Sequence, residues 1–323
     1  MNPEFSVVIP TYLRPTLLMK CLDALSRQQL PHNQFEIIVV DDGDDRATAE
    51  IVQSFREVFG IEARYLAQAK RRGPAAARNR GWRAARGRII AFTEDDCMPQ
   101  ADWLPAVLPS FKRGAQAISG QVRLTNARQA SVSRSNGFMD KAELSSANFF
   151  CLPAVLQRVG GFTEDFDIAW REDSDLQFKL IRAGIRMGKC PEAVVTHPIR
   201  KSHWNNRLRE ERKYSYDALL YKRHPELYRQ RMGHERNQVL EYYGAVFSFI
   251  TGLFALLSGH SFVGASGLAI WLLLTADLLA RFWPKEQLTW EGVQQAFTTA
   301  IITPYLSIFW RLHGAVKYRV LYW

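Results

Sequence analysis

The sequence predicts an α/β domain, a mainly parallel sheet flanked by helices, followed by membrane helices toward the C-terminus. Three observations carry this. Over the first hundred residues short apolar runs alternate with segments of helical period. Two of those runs end in acids, Asp41-Asp42-Gly43 and Thr93-Glu94-Asp95-Asp96. From about Val239 onward there are two apolar runs, Val239–Leu257 and Phe262–Ala280, each 19 residues long, about the length that crosses a bilayer.

Phe5–Pro10 reads as the first strand. A helix starts at Pro15, which suits a first helical position, and Leu17, Leu18, Cys21, Leu22 and Leu25 form its apolar face. Phe35–Val40 is a second strand, Ala47–Phe59 a helix, Ile61–Leu66 a strand, Pro74–Ala85 a helix and Gly87–Phe92 a strand. This βαβαβαβ order calls for a parallel sheet, because parallel neighbours need a crossover helix. Asp102–Gln121 adds a helix and a strand, and Leu124–Asn136 is a polar loop. Phe149–Val159 reads as strand and helix, Asp173–Arg182 as a helix, and Ile185–His197 as a strand region.

The 323 residues carry a net charge of +10. Arg200–Arg236 holds eleven Lys/Arg against five Asp/Glu, an excess suited to anionic lipid headgroups, nucleotide phosphates or nucleic acid. Trp204, Tyr214, Tyr216, Tyr221 and Tyr228 are interleaved with those charges, as at a membrane interface. The break between the apolar runs, Ser258-Gly259-His260-Ser261, has no Lys or Arg, while Arg281 and Lys285 follow the second run, which contains one acid, Asp277. The positive-inside rule then makes residues 239–283 a hairpin with both ends in the cytosol. The competing reading is a buried helical pair of a soluble domain. Ala296–Trp310 is shorter, contains Pro304 and precedes Arg311, Lys317 and Arg319, so residues 284–323 are expected to be interfacial or re-entrant. Cys21, Cys97, Cys151 and Cys190 form no CxxC pair, which fits a reducing cytosol without disulfide or zinc. The N-terminus enters a strand directly, so no signal peptide is expected.

Three adjacent carboxylates at the carboxyl end of a strand repel one another. A hard divalent cation, Mn²⁺ or Mg²⁺, relieves that repulsion, and open α/β sheets bind ligands at that end. Alone, the run reads equally well as a solvated acidic turn. Four more features fall in order: Pro10-Thr11-Tyr12 with Arg14, Asp41-Asp42-Gly43, Lys70-Arg71-Arg72-Gly73 before a helix, and Trp170–Leu176 after Gly160-Gly161-Phe162-Thr163-Glu164.

With these residues the sequence resembles the family 2 glycosyltransferases, which have the GT-A nucleotide-diphospho-sugar transferase fold. The resemblance rests on Val7–Tyr12, Val39–Gly43, Gly73-Pro74-Ala75-Ala76-Ala77-Arg78-Asn79, Thr93–Asp96, Gly160-Gly161-Phe162 and Glu172-Asp173-Ser174-Asp175-Leu176. It implies a catalytic domain over residues 1–199, an interfacial linker over 200–238, and the hairpin beyond. It implies a nucleotide-sugar donor, with UDP the commonest, bound by Pro10, Thr11, Tyr12, Arg14, Asp42, Arg72, Arg78 and Asp95. Asp42 would face the base, Arg72 and Arg78 the pyrophosphate, and Asp95 the ribose. Asp96 and His197 would hold the metal, with Glu94 where many relatives carry Asp. Asp173 would be the base of an inverting transfer, with Glu172 orienting the site. Helix N-terminal chemistry also explains acids at 172, 173 and 175. No Gln-x-x-Arg-Trp motif of processive synthases occurs, so transfer of one sugar is expected. The anchor implies a lipid or lipid-linked acceptor at the cytosolic membrane face, in cell-envelope or exported glycan synthesis. Two other classes compete: a basic RNA-binding or scaffold protein, and a sugar nucleotidyltransferase. The apolar hairpin explains the basic flank without nucleic acid, and Thr11–Pro15 lacks the Gly-rich loop of nucleotidyltransferases.

Overall fold

The structure is a computed structural model, and it describes residues 2–125, 144–198, 208–232, 236–283 and 289–322. Most of the expected loop Leu124–Asn136, together with Trp204 and Lys285, lies outside the described residues. The chain divides into two compact units, Met1–Arg200 and Lys201–Trp323.

The first unit is built on one sheet. Its strands are β1 (Phe5–Thr11), β2 (Phe35–Asp41), β3 (Ala63–Ala67), β4 (Ile89–Phe92), β5 (Met98–Pro99), β6 (Ala117–Leu124), β7 (Phe149–Cys151) and β8 (Met187–His197). They lie in the order β3-β2-β1-β4-β7-β6-β8-β5. β1 to β4 are mutually parallel, as the alternation of strands and helices requires. β7 enters between β4 and β6 and runs antiparallel to both, and β5 pairs antiparallel with β8. The sheet is therefore mixed.

Helices α1 (Pro15–Ser26), α2 (Arg46–Phe59), α3 (Pro74–Ala84), α4 (Trp103–Lys112), α5 (Pro153–Val159) and α6 (Glu172–Arg182) cover it. Successive strand residues point to opposite faces. Val7, Ile9, Ile37 and Val39 pack against Leu18, Leu22 and Leu25 of α1, Val52 and Phe55 of α2 and Trp103 of α4. Val8, Ile90 and Phe92 pack against Ala75 and Trp82 of α3, Leu156 of α5, and Leu176 and Leu180 of α6. Each fully buried large side chain contributes about 1.5–3 kcal/mol.

Asn148 ties α4 to the far half of the sheet. It accepts from Trp103 Nε1 at 2.8 Å and donates to the carbonyls of Gln121 and Ala193 at 2.9 and 2.8 Å. A Cβ on Gly120 would lie 2.4 Å from Asn148 Oδ1, so only glycine fits beside it. This junction fixes β8 against β6, in register to Leu124 opposite His197.

At the opposite edge of the strands from the acids, the buried Glu36 carboxylate is densely ligated. Ser6 Oγ donates to it at 2.6 Å, the Arg86 amide at 2.7 Å, and the Arg64 and Arg86 guanidinium groups at 2.9 Å. Burial acts to raise its pKa, but the Ser6 hydroxyl, the Arg86 amide and guanidinium and the Arg64 charge together hold it below the usual carboxylate range. A lowered folded pKa stabilises above the unfolded value, and that stability is lost as pH falls through the carboxylate range. In Glu36→Gln the amide nitrogen would face two guanidinium groups. We expect a loss of about 2–4 kcal/mol at pH 7 in urea unfolding. The variant's stability should also decline less than wild type's between pH 5 and pH 3.

In the second unit, α7 (Ser215–Arg223) and α8 (Pro225–Met232) lead into three long helices, α9 (Arg236–Leu257), α10 (Ser261–Phe282) and α11 (Trp290–Tyr318). α9 and α10 are the two described helices long and apolar enough to cross a membrane. They pack closely where Gly252 meets Gly264 and Gly267. α11 is one helix of 29 residues that continues through Pro304, longer than the apolar run Ala296–Trp310 indicated.

Candidate active site

Every element of the site lies at the carboxyl end of a strand or the start of a helix. Asp41 ends β2 and builds the turn after it. It accepts from the amides of Gly43 at 2.9 Å and Asp45 at 2.6 Å, and from the Tyr65 hydroxyl at 2.8 Å. Asp42 turns the other way and organises the basic loop. Its carboxylate accepts from Gln68 Nε2 at 2.8 Å, the Arg72 amide at 2.7 Å and the Gly73 amide at 2.8 Å. Above this loop the Arg71 guanidinium sits 4.4 Å from the Tyr12 ring centre. The Arg72 side chain reaches Glu164 at 2.6 Å. Gly73 has φ +88°, and a Cβ there would lie 2.3 Å from the Asp167 carbonyl oxygen. Gly73→Ala is therefore expected to cost about 1–3 kcal/mol. The substitution should also displace the amide held by Asp42, so thermal unfolding and nucleotide binding should both weaken.

Thr11, at the end of β1, donates to Asp95 Oδ2 at 2.8 Å, and Arg14 Nη1 lies 3.4 Å from Asp95 Oδ1. Burial pushes the Asp95 carboxyl up to about 6. Thr11 and Arg14 oppose the rise, and the charges of Asp96 and Glu94 add to it.

The ligand atoms of Glu94, Asp96, Cys97 and His197 all lie within 4.8 Å of one another. His197 Nε2 is 3.5 Å from both Glu94 Oε2 and Asp96 Oδ1. Its Nδ1 lies 3.0 Å from the Pro198 carbonyl oxygen, which can only accept. In a neutral ring Nδ1 then carries the proton and Nε2 keeps the lone pair that a metal takes. Burial raises the Cys97 thiol far above its ordinary value, so it remains protonated and suits no hard ion. Two carboxylates and one imidazole remain, a set that fits Mn²⁺ or Mg²⁺. Glu94 thus joins the expected pair Asp96 and His197.

α6 begins at Glu172, after Arg171 in a left-handed conformation (φ 71°). The loop before it is laced to α3. Asn79 donates to the Phe162 carbonyl at 2.8 Å and accepts from the Phe162 amide at 2.9 Å, and Thr163 donates to Asp175 at 2.6 Å. This explains why Gly160-Gly161-Phe162 accompanies the acidic helix start: a Cβ on Gly161 would lie 2.5 Å from Asn79 Oδ1. Asp173 Oδ2 accepts from the Ser146 amide at 2.8 Å. Its Oδ1 is buried without a hydrogen-bond partner among the described residues. Burial raises the Asp173 pKa against the pull of Arg78 and Ser146. Burial, with the Asp173 charge beside it, also raises Glu172.

Arg78 joins the two halves. It is 1% exposed, with Nη2 3.0 Å from Glu94 Oε1 and Nη1 3.3 Å from Glu172 Oε1. Burial disfavours its charge, but Asp173, Glu172 and Glu94 outweigh that and keep it cationic. The sequence reading set Arg78 at the pyrophosphate; in the structure its guanidinium bridges the acidic turn to α6. Asp96, His197, Glu94, Arg78, Glu172 and Asp173 therefore form one connected constellation. Sequence reasoning missed this bridge, and it missed Glu94 as a metal-facing group. A tight turn, closed by the Cys97 amide on the Glu94 carbonyl at 3.1 Å, follows the strand there, and no strand or helix period in the sequence announces it.

A mixed sheet with acids at its strand ends and a carboxylate-headed helix is the architecture of a nucleotide-diphospho-sugar transferase. The family model for glycosyl transferase family 2 matches residues 6–172, and the chain belongs to that family. It is similar to glycosyltransferase AglE of Haloferax volcanii, 27% identical over 213 residues, covering 61% of this chain and 68% of that protein. It is 34% identical over 244 residues to validoxylamine A glucosyltransferase of Streptomyces hygroscopicus subsp. limoneus, covering 63% of this chain and 54% of that one. Among solved structures it resembles a mannosyltransferase from Pyrobaculum calidifontis in complex with GDP-Man and Mn²⁺, with a TM-score of 0.59, 20% identity, and coverage of 99% and 88%. It also resembles residues 1–349 of TarS from S. aureus in complex with UDP, with a TM-score of 0.52, 15% identity, and coverage of 98% and 91%.

Proposed function

We propose that this glycosyltransferase moves one sugar, with inversion, from a nucleotide-sugar donor to a hydroxyl of a lipid or lipid-linked acceptor at the cytosolic membrane face. The observation that carries this is the Arg78 bridge, which keeps the cation-facing acids and the unpartnered oxygen of Asp173 in one site. The GDP-Man, Mn²⁺ and UDP in the similar structures support a nucleotide donor and a divalent ion. UDP is the nucleotide to test first.

Glu94, Asp96 and His197 would hold Mn²⁺ or Mg²⁺, which when bound neutralises the leaving diphosphate. Tyr12, with Arg71 over its ring, and the loop held by Asp42 flank the nucleoside, while Thr11 and Arg14 fix Asp95 for the ribose. Asp173 Oδ1 takes the acceptor proton. The acceptor oxygen bonds to the anomeric carbon as its bond to the diphosphate oxygen breaks, and the nucleoside diphosphate leaves. A raised pKa makes Asp173 a stronger base than an ordinary carboxylate. Glu172 accepts from Arg78 and orients the helix start.

The α9–α10 hairpin supports an anchor: Phe254, Leu257 and Phe262 are exposed near its turn, and 22 residues span about 33 Å. Tethering would raise the effective concentration of acceptors in the same membrane. The test is a panel of nucleotide sugars assayed for diphosphate release with Mn²⁺, Mg²⁺ or EDTA, with and without lipid extract. Release requiring both a divalent ion and lipid is expected. Equal activity on soluble acceptors, unchanged when residues 239–323 are removed, would refute the lipid acceptor.

A further inference from the structure

α11 is inside-out for a helix in water. Its buried face carries Thr299, Thr303 and Ser307, each 2% exposed, together with Ala296 and Ala300. Its outward face carries Phe297, Ile301, Ile302, Phe309, Leu312 and Val316, with Phe309 56% and Val316 79% exposed. A water-facing helix puts its polar stripe outward and its apolar stripe on the core. Here threonine and serine face the protein, and the apolar surface is left to be covered by something else.

The contacts of α11 fix how it lies on the hairpin. The open end of the hairpin is marked by Arg281 Nη1, 2.7 Å from Glu241 Oε2. Near the start of α11, the Phe297 ring lies 6.3 Å from the ring of Trp283, just past the end of α10. Its middle lies on the hairpin below that end: Ala300 and Ile308 pack with Tyr242 and Leu278, and the Tyr305 ring reaches down to Phe249 in the middle of α9 at 6.1 Å. Its far end returns to the helices that feed α9. Arg311 Nη1 pairs with the buried Asp217 of α7 at 3.0 Å, and the Tyr318 carbonyl accepts from Lys222 at 2.9 Å. Just beyond it, the Tyr322 ring stands 6.1 Å from Tyr228 of α8. A 29-residue helix is about 43 Å long, so a crossing helix would carry one end to the opposite leaflet. Both ends of α11 stay with the open end.

We infer that α11 lies in the plane of the membrane, with its outward apolar face seated at the headgroup–acyl boundary of a bilayer containing anionic lipid. The inference rests on the hairpin being an anchor. Three features favour lipid as the occupant. The hairpin on which α11 packs also exposes large apolar side chains, Phe247, Phe254, Phe262 and Leu273 among them. Trp283 and Trp290 stand at the ends of α10 and α11, the depth where indole rings concentrate. Arg209, Arg229, Arg231, Lys317 and Arg319 are exposed on the segments that hold or follow the C-terminal end of α11, complementary to anionic headgroups.

The test uses the full chain in nanodiscs of phosphatidylcholine and phosphatidylglycerol. Spin labels are placed one at a time at Phe297→Cys, Ile301→Cys, Phe309→Cys and Val316→Cys, with Phe247→Cys at the middle of α9 and Arg46→Cys in the first unit as references. The four native cysteines are buried. Depth is read from collision with oxygen and with a water-soluble nickel chelate. The four α11 labels are expected to share one shallow depth, about 5–10 Å below the headgroups and between the two references. A steady change of depth from Phe297 to Val316 would mean a crossing helix and overturn the inference. Labels as water-exposed as Arg46→Cys, with Phe247→Cys in lipid, would overturn it and leave the anchor standing. Labels shielded from both probes would mean a protein partner and also overturn it. An aqueous Phe247→Cys would remove the anchor and the inference together.

Discussion

Asp173→Asn is expected to lower sugar transfer on the order of a thousandfold while leaving donor affinity within about twofold of wild type. The amide keeps the side-chain shape and an oxygen that can accept from the Ser146 amide, now 2.8 Å from Oδ2. It cannot take a proton from the acceptor. Wild-type activity should fall as pH drops, because the base works deprotonated and burial raises its pKa above the ordinary value of an aspartate. That acid limb should lie above the usual aspartate range and belong to the Glu172–Asp173 pair jointly, since the two carboxyls interact. Rates and nucleotide binding, measured on the same preparations between pH 5 and 8, give the comparison. A variant with near wild-type transfer would remove Asp173 from the mechanism.

Arg78→Met should produce the second large effect, on stability as well as rate. The side chain is similar in length, but Glu94 and Glu172 lose their shared cation, 3.0 and 3.3 Å away. Breaking a buried ion pair from one side costs about 3–5 kcal/mol. Without the cation both Glu172 and Asp173 should hold their protons to higher pH, so the acid limb of transfer should move upward. The stability deficit should shrink as pH falls toward 5, because protonated carboxyls no longer need Arg78. Transfer is expected to drop about a hundredfold at pH 7, in line with loss of site geometry. Arg78→Lys keeps the charge but cannot fork to both acids, and it should fold better than Arg78→Met yet recover little activity. Urea unfolding at pH 5 and pH 7 and a pH–rate profile are the measurements. A variant with wild-type stability at both pH values would deny that the bridge holds the two halves together.

The parallel half of the sheet was legible because each strand-helix unit declares itself locally. The apolar face of α1, the Asp45 cap accepting from Thr48 at 3.0 Å and Gly60 at φ 64° all obey short-range rules. The antiparallel insertion was not legible. β7 is three residues long and pairs with Ile90–Phe92, about sixty positions earlier, so no periodicity announces its direction. The order of the site motifs was readable, and they lie where strands end or helices begin. What escaped was the partner of each group. Asp42 spends its oxygens on the loop from Gln68 to Gly73, and Arg78 faces acids. Both outcomes depend on distances between elements, which local composition does not carry. α11 passes through Pro304 because Ala300, Thr303, Pro304 and Ser307 are all buried on one face of it, so tertiary packing outweighs the missing backbone donor.

The most direct test is an anomalous-scattering map from crystals of the protein grown with Mn²⁺ and a nucleoside diphosphate. The expected result is one manganese peak bonded to Asp96 and His197 at about 2.0–2.3 Å, with Glu94 in or beside its shell, the diphosphate on its far side, and Asp173 facing the same cleft. A peak remote from Asp96, or a nucleotide bound with Asp173 turned away from its diphosphate, would contradict it.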